Sequence, residues 1–499
     1  MAYSVAKSLF KNTAVMMGAQ LITWVSGFVL LLFLPRYLGS ADYGKLYLAI
    51  SIQMIFQWII DYGGSGYVPK EVSRDRENAP RLFVHTALFR SALWLMSIIL
   101  SLGLCMVAGY SWRVTAIVMI LSFSNIWSTM TALLRSCFLG FESMKYPSMA
   151  AVVERSFLML TAVPALLLGA KEIVVASLMA ISTLLSFALN ARFLKTIFRV
   201  RFIIRWDIMR RIVREGFPYF LWSLFGIIYY RIDAVMLSLM TPPSVVGWYG
   251  AAYRLFDILM FLPAIYSSVL LPILSRQSKS EYDSMRSTSE KSMEFLLLAG
   301  IPIAAGLIFF SHNVIQILFG LAQYGPSAIL LQLFAIGMLL VYTDSILAGT
   351  VVALDKQRPW AFVAFLAVII NVGSNYFLIP YFQRVMSNGG IGAAIATDLT
   401  ELFVMLSAVY LLPRHFFTKR LSTSLGKGVL SGIVMSLVIV VLAHLGIPWV
   451  IRAIAGPAAY AGSLLLLKVF DPHELDYLMR ALSIRNLRQV MAEKGGLNT

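Results

Sequence analysis

Runs of about twenty apolar residues recur along this chain, and no other feature restricts its fold so tightly. A helix needs about 20 consecutive apolar residues to cross about 30 Å of hydrocarbon. Such runs can be placed at about fourteen positions, near 12–34, 46–60, 82–108, 114–134, 148–169, 172–191, 216–240, 247–274, 293–319, 326–354, 359–380, 391–412, 428–446 and 448–467. With 59% hydrophobic residues, 13% charged residues and a mean hydropathy of +0.79, a water-soluble chain of this composition could not cover its surface. The expected fold is therefore an all-α polytopic membrane protein with about 14 transmembrane helices.

The charges set its orientation. A net charge of +17 could suggest a nucleic-acid partner, but that needs basic residues gathered on a soluble domain, and here they sit in short loops. Loops on one side hold Lys195 to Arg214, Arg276 to Lys291 and Arg414 to Lys427, among others, whereas the opposite loops hold only Arg36, Lys45, Arg113, Lys171 and Arg384. An asymmetry of about five to one predicts that both termini of this multi-pass membrane protein are cytoplasmic. The first apolar run, Asn12 to Leu34, is too long for a signal-peptide core and reads as the first span. Cys105 and Cys137 belong to no Cys/His cluster, and no phosphate-cradling Gly-rich lysine motif occurs, so neither metal nor cofactor is expected.

Internal repetition divides the chain. LGSADYGKLYLAISI (Leu38 to Ile52) is answered by TPPSVVGWYGAAYRL (Thr241 to Leu255), which aligns Gly44 with Gly247. FLGFESMKYP (Phe138 to Pro147) is answered by VALDKQRP (Val352 to Pro359), which sets Glu142 against Asp355. A parallel repeat gives residues 1–194 and 216–413 as two pseudo-symmetric six-helix bundles, with any substrate between them. The basic stretch 195–215 joins them, either as an interfacial helix on an anionic leaflet or as a plain linker. Residues 414–470 add two helices, and 471–499 form a cytoplasmic tail.

Charges inside the spans need a reason, because each costs about 2.5–3.5 kcal/mol near a bilayer centre. They concentrate in Gly216 to Ser275, two apolar spans joined by a turn at Thr241 to Val246. Folding this hairpin about its turn brings Asp233 level with Arg254, and Arg231 level with Asp257. Such pairs either pin the two helices or exchange partners and release an arginine. Arg90 has no acid within one turn of it. The other carboxylates within spans are Asp344, Asp398 and Glu401, of which Asp398 and Glu401 share a helical face and could hold a proton or a cation between them. Asn371 and Asn375 lie one turn apart in the eleventh span.

The order of PRYLGSADYGKLYLAISI, RIDAVML, VGWYGAAYRLFD, the P-x-L-S at Pro272 to Ser275, ILFGLAQYGPSAILLQ and NYFLIPYF…GGIGAAIAT resembles the polysaccharide transporter family. These are the Wzx-type O-antigen and exopolysaccharide flippases of the multidrug/oligosaccharidyl-lipid/polysaccharide exporter superfamily. The resemblance covers almost the whole chain. It implies two six-helix bundles around a central cavity plus two C-terminal helices, and a non-enzymatic flippase that moves polyprenyl-pyrophosphate-linked oligosaccharide to the outer leaflet by alternating access. Its partners would be the lipid-linked substrate, membrane lipids and other polysaccharide-assembly proteins. Arg254 further resembles a cavity arginine of the related lipid II flippases.

Such a substrate calls for cations at its phosphates and hydrogen-bonding groups at its sugars. The expected substrate ligands are Arg90, Arg231, Arg254, Asn371 and Asn375, with Asp233, Asp257, Asp344, Asp398 and Glu401 for gating or ion coupling. Two other functions compete. A cation-coupled drug exporter of the same superfamily commonly carries an acid in its first helix, and Asn12 to Leu34 has none. A membrane glycosyltransferase or polysaccharide polymerase usually carries substantial external loops, and those expected here are short.

Overall fold

The computed structural model describes residues 2–198 and 205–469, apart from the side chains of residues 2–15, 222, 279 and 280. The middle of the basic connection, 199–204, and the expected tail, 471–499, lie outside the described residues. Those residues form sixteen helices. The first eight are α1 (Ala2–Asp61), α2 (Gly64–Arg74), α3 (Ala79–Val107), α4 (Trp112–Gly140), α5 (Lys145–Leu167), α6 (Glu172–Leu194), α7 (Trp206–Met240) and α8 (Pro243–Leu259). They are followed by α9 (Phe261–Ser280), α10 (Tyr282–Leu318), the short α11 (Leu321–Tyr324), α12 (Ser327–Ala353), α13 (Gln357–Met386), α14 (Gly389–Leu411), α15 (Lys419–His444) and α16 (Trp449–Leu466).

Among the described residues, thirteen helical stretches are long and apolar enough to cross a membrane. The first runs from Met16 to Arg74 and takes in both the first and second expected spans. They are separated by a break at Gly39, where φ is 77° and ψ is 165°, a conformation that excludes any side chain beyond hydrogen at little cost. On the last turn before the break, the Pro35 carbonyl accepts the Tyr324 hydroxyl at 2.9 Å.

The eighth expected span is also interrupted, at Met260 between α8 and α9. The cause is Pro263, which has no N–H for the Leu259 carbonyl four residues before it. The hydroxyl of Tyr342 donates to that carbonyl at 2.8 Å instead. The same device recurs at Pro302, where the Leu298 carbonyl is satisfied by the Tyr460 hydroxyl at 2.9 Å. In hydrocarbon a carbonyl without a donor is costly, so at these two prolines a tyrosine from another helix supplies the missing donor.

The residues aligned by the sequence repeat behave alike. A Cβ on Gly44 would collide with the Pro243 carbonyl oxygen, and a Cβ on Gly247 with that of Ser40. The close approach of the second half of α1 to α8 is thus reciprocal, as a local two-fold relation requires. Glu142 and Asp355 are both left-handed, at φ 57° and 60°. Each follows the end of a helix with the same pair of bonds: Glu142 N–H to Leu139 and Ser143 N–H to Phe138, against Asp355 N–H to Val352 and Lys356 N–H to Val351.

By packing, the chain divides into two compact units. The first comprises Met1–Ile258, His312–Phe334 and Arg358–Val404, and in it α1 packs on α5 and α7, and α4 on α6. The second comprises Leu259–Ser311, Ala335–Gln357 and Met405–Thr499. There α15 packs on α16 and meets α10 where Gly428 and Gly432 admit Leu298 and Ile301.

Candidate functional site

The first unit contains a cavity of about 390 Å³. Its walls come from the second half of α1 and from α4, α5, α6, α7 and α8, and they carry four arginines: Arg135, Arg155, Arg231 and Arg254. Glu154 is the one carboxylate on its lining, and the rest is largely uncharged polar surface such as Gln53, Gln57, Ser128 and Thr183. A water-accessible recess with this excess of guanidinium favours an anion. Planar guanidinium groups grip phosphate through paired hydrogen bonds and stay charged when partly dehydrated.

Arg231 is held from three sides. Its Nη2 lies 3.3 Å from Asp257 Oδ2, its Nη1 donates to the Tyr47 hydroxyl at 3.3 Å, and its guanidinium stands 5.4 Å from the centre of the Tyr253 ring. The expected pairing of Arg231 with Asp257 is therefore present. Arg254, one turn from Asp257 on α8, lines the cavity and has no carboxylate within ion-pair distance among the described residues.

The other expected pair, Asp233 with Arg254, does not form. Asp233 is buried in an uncharged cage: Oδ2 accepts the hydroxyls of Tyr249 at 2.8 Å and Thr397 at 2.9 Å, and Oδ1 accepts Asn375 Nδ2 at 2.6 Å. Asn375 Nδ2 also donates to Asn371 Oδ1 at 3.0 Å. Hairpin geometry fixes depth but not direction. Asp233 follows Arg231 by two residues, which is roughly 200° around a helix, so the two point to opposite sides of α7. Asn371 and Asn375, expected as sugar ligands, are wholly buried in this cage and are absent from the cavity lining.

Arg90 departs from expectation as well. It is 0% exposed and forms an ion pair with Asp61, 29 residues earlier, while Nη1 donates to the Thr129 carbonyl at 2.6 Å. Asp61 also accepts the backbone N–H and the hydroxyl of Ser65 at 2.9 and 3.1 Å, which organises the entry into α2. A search for acids within one turn cannot find a partner on another helix.

Glu401 is buried and receives the Tyr229 hydroxyl, while Asp398 Oδ1 is buried without a hydrogen-bond donor. Asp344 is buried on α12 in the second unit. None of these three lines the cavity. Two cavity arginines escaped the sequence reading. Arg135 lies just past the end of the fourth expected span, and Arg155 lies in the fifth, where its insertion cost is the signal that could reveal it.

A second cavity, of about 260 Å³, lies where the α2–α3 junction meets the start of α7. Its acids Glu71, Asp75 and Asp207 balance its arginines Arg81, Arg205 and Arg211, and Arg211 Nη2 is 2.9 Å from Glu71 Oε2. Hydrogen bonds from the side chain and backbone of Asn78 hold the exposed Asp75 carboxyl below its ordinary range. This balance gives no excess charge for a ligand. Among the described residues no group of three or more His, Cys, Asp or Glu side chains could hold a metal ion.

Comparison with known proteins bears on this site. Residues 9–278 match the family described as Polysaccharide biosynthesis protein. A 191-residue segment is 28% identical to the probable low-salt glycan biosynthesis flippase Agl15 of Haloferax volcanii, covering 38% of this chain and 39% of that protein. The chain thus spans about two fifths of that curated relative's length. Among solved structures, the lipid II flippase MurJ in an inward closed conformation superposes with a TM-score of 0.73 at 16% identity, covering 91% of this chain and 99% of the other. An inward-facing multidrug resistance MATE family transporter of the MOP superfamily superposes with a TM-score of 0.66 at 12% identity, covering 80% and 97%. At these identities the likeness is one of fold.

Proposed function

The chain belongs to the polysaccharide biosynthesis protein family, matched over residues 9–278, and from that premise we propose that it is a flippase for lipid-linked oligosaccharides. The substrate is an oligosaccharide on a polyprenyl pyrophosphate, carried from the inner to the outer leaflet of the cytoplasmic membrane by alternating access. The observation that carries this reading is the cavity of the first unit, with four arginines against one glutamate beside uncharged hydrogen-bonding side chains. Those are the groups that a pyrophosphate and a glycan demand. Arg254, with no paired carboxylate, is the first ligand for phosphate, and Arg231 joins it if its bond to Asp257 opens during transport.

Residues 1–194 and 216–413 are proposed as the two halves that rock against each other, with both termini cytoplasmic. An anionic headgroup leaving a negative interior gains about 2.3 kcal/mol per charge for each 100 mV, so the membrane potential itself favours export. The Asp233 cage and the Asp398–Glu401 pair are proposed as sites where a proton or cation is coupled to the movement.

The experiment is reconstitution in vesicles with a defined lipid-linked sugar, following its arrival in the far leaflet with an impermeant lectin. Wild-type protein is expected to move it, and Arg254→Ala to slow it at least about ten-fold while remaining folded in the membrane, the loss of one charge-assisted hydrogen-bonding group. Movement at the wild-type rate by Arg254→Ala would overturn the site assignment. The fold shared with a multidrug transporter keeps drug export as the competing reading. A cavity with four arginines repels the cationic substrates typical of such exporters, which favours the flippase.

A further inference from the structure

The arginine-lined cavity has an apolar annex. A crevice of about 70 Å³ opens beside it, walled by Gly27, Leu30, Leu31 and Leu34 of α1, with Ala162 of α5 and Val175 of α6. The two spaces share Ile50, Leu158 and Met179, and the charged residues common to both linings are Arg155 and Arg254. These two arginines therefore stand at the junction of a polar and an apolar space. The crevice has about half the roughly 150 Å³ that accommodates a benzene ring, room for a few methyl and methylene groups but not for a sugar ring.

The two spaces are also ordered along the helices. On α5 the cavity takes Glu154, Arg155 and Leu158, and the crevice takes Arg155, Leu158 and Ala162. On α6 the cavity takes Met179, Ser182 and Thr183, and the crevice Val175 and Met179. Since α5 and α6 run in opposite senses, both displace the crevice toward the same end of the bundle, the end where α1 breaks at Gly39. By the positive-inside asymmetry that is the outer end. An amphiphile of the inner leaflet lies the same way, with its tail toward the bilayer centre and its polar head toward the cytoplasm.

We infer that the crevice holds the first few carbons of a polyprenyl pyrophosphate, those next to its phosphates, with Arg155 and Arg254 gripping the pyrophosphate at the junction and the glycan lying in the polar cavity. This rests on the flippase reading and adds to it a direction of loading. It also makes the carrier's first carbons part of what is recognised, where a site for phosphate and sugar alone would be indifferent to them.

Gly27 offers a direct test, because it lines the crevice and a Cβ placed on it meets no atom within 4 Å, so a side chain can be added there without an immediate clash. Purified protein in detergent is titrated with inorganic pyrophosphate and with farnesyl pyrophosphate. Wild-type protein is expected to bind the prenyl compound at least about ten-fold more tightly, since burial of two methylene groups suffices for that factor. Gly27→Leu should cut the preference to less than about three-fold and leave inorganic pyrophosphate unchanged, which also reports an intact arginine pair; Gly27→Ala should keep most of it. Arg155→Ala should weaken both ligands. An undiminished prenyl preference in Gly27→Leu, or none in wild-type protein, overturns the crevice assignment and leaves the flippase reading standing. Failure of wild-type protein to bind either compound overturns both.

Discussion

Arg90 and Arg254 are the same residue type within membrane-spanning helices, and their surroundings are opposite. Arg90 is fully buried, its two terminal nitrogens are held by Asp61 and the Thr129 carbonyl while its Nε has no partner, and it lines neither the polar cavity nor the annex. Arg254 is half-buried, lines both the polar cavity and its apolar annex, and has no carboxylate within ion-pair distance among the described residues. Insertion cost alone treats the two alike. The difference teaches that a charge inside a membrane can meet a ligand only where it lines a cavity and no carboxylate pairs with it. On the proposed reading, a sealed pair holds helices in place and a cation on a cavity wall is free to meet an anion.

The sharpest way to break this comparison is to remove one member of the sealed pair. Arg90→Ala or Asp61→Leu leaves a buried charge uncompensated and should destabilise the protein by about 3–5 kcal/mol, seen as loss of monodisperse protein and a lowered melting temperature in detergent. The double substitution Arg90→Met with Asp61→Leu should recover much of that loss. If Arg90→Ala instead keeps wild-type stability and loses only transport, Arg90 belongs with the cavity arginines and the contrast collapses.

At the open site the expected effect lies on function. Arg155→Ala and Arg254→Ala should each reduce flipping by ten-fold or more, equivalent to about 1.5–3 kcal/mol for a hydrogen bond to a charged group, with melting temperature unchanged. Arg254→Lys should restore only part of the rate, since an ammonium keeps the charge but not the two-pronged grip. Full rescue by lysine would mean that charge alone matters there.

The Asp233 cage is sealed like the Arg90 pair but contains no cation, so a smaller effect is expected. Asp233→Asn keeps the shape and one acceptor oxygen while setting an amide against donors, and should cost about 1–2 kcal/mol in stability. If the cage couples an ion, transport by this variant should also lose its dependence on sodium or on a proton gradient. Smallest are the tyrosines at the proline kinks. Tyr342→Phe and Tyr460→Phe each leave a proline-freed carbonyl without a donor and should lower stability by about 1 kcal/mol, read from melting temperatures, with transport retained in the membrane.

Depth was legible in the sequence to a degree that direction was not. The apolar runs located the spans, and the hairpin turn at 241–246 put Arg231 level with Asp257, where the ion pair is observed. The same arithmetic put Asp233 level with Arg254, yet Asp233 faces Tyr249, Asn375 and Thr397. The Gly44–Gly247 and Glu142–Asp355 matches were likewise readable, because a close helix contact and a left-handed helix end each demand particular residues locally. The cost of Arg155 within a span is readable from the sequence, but its place on the cavity wall depends on neighbours from other helices.

By itself, then, the sequence determined that this chain crosses a membrane many times and which charges fall within its apolar spans. These follow from the thickness of hydrocarbon and the rise of a helix, which act on every segment separately. Only the tertiary structure decided which arginines are sealed and which are open, because that depends on the azimuth of each helix and on partners many residues away, such as Asp61 for Arg90. The cavity that carries the functional reading exists only once six helical segments have chosen their neighbours.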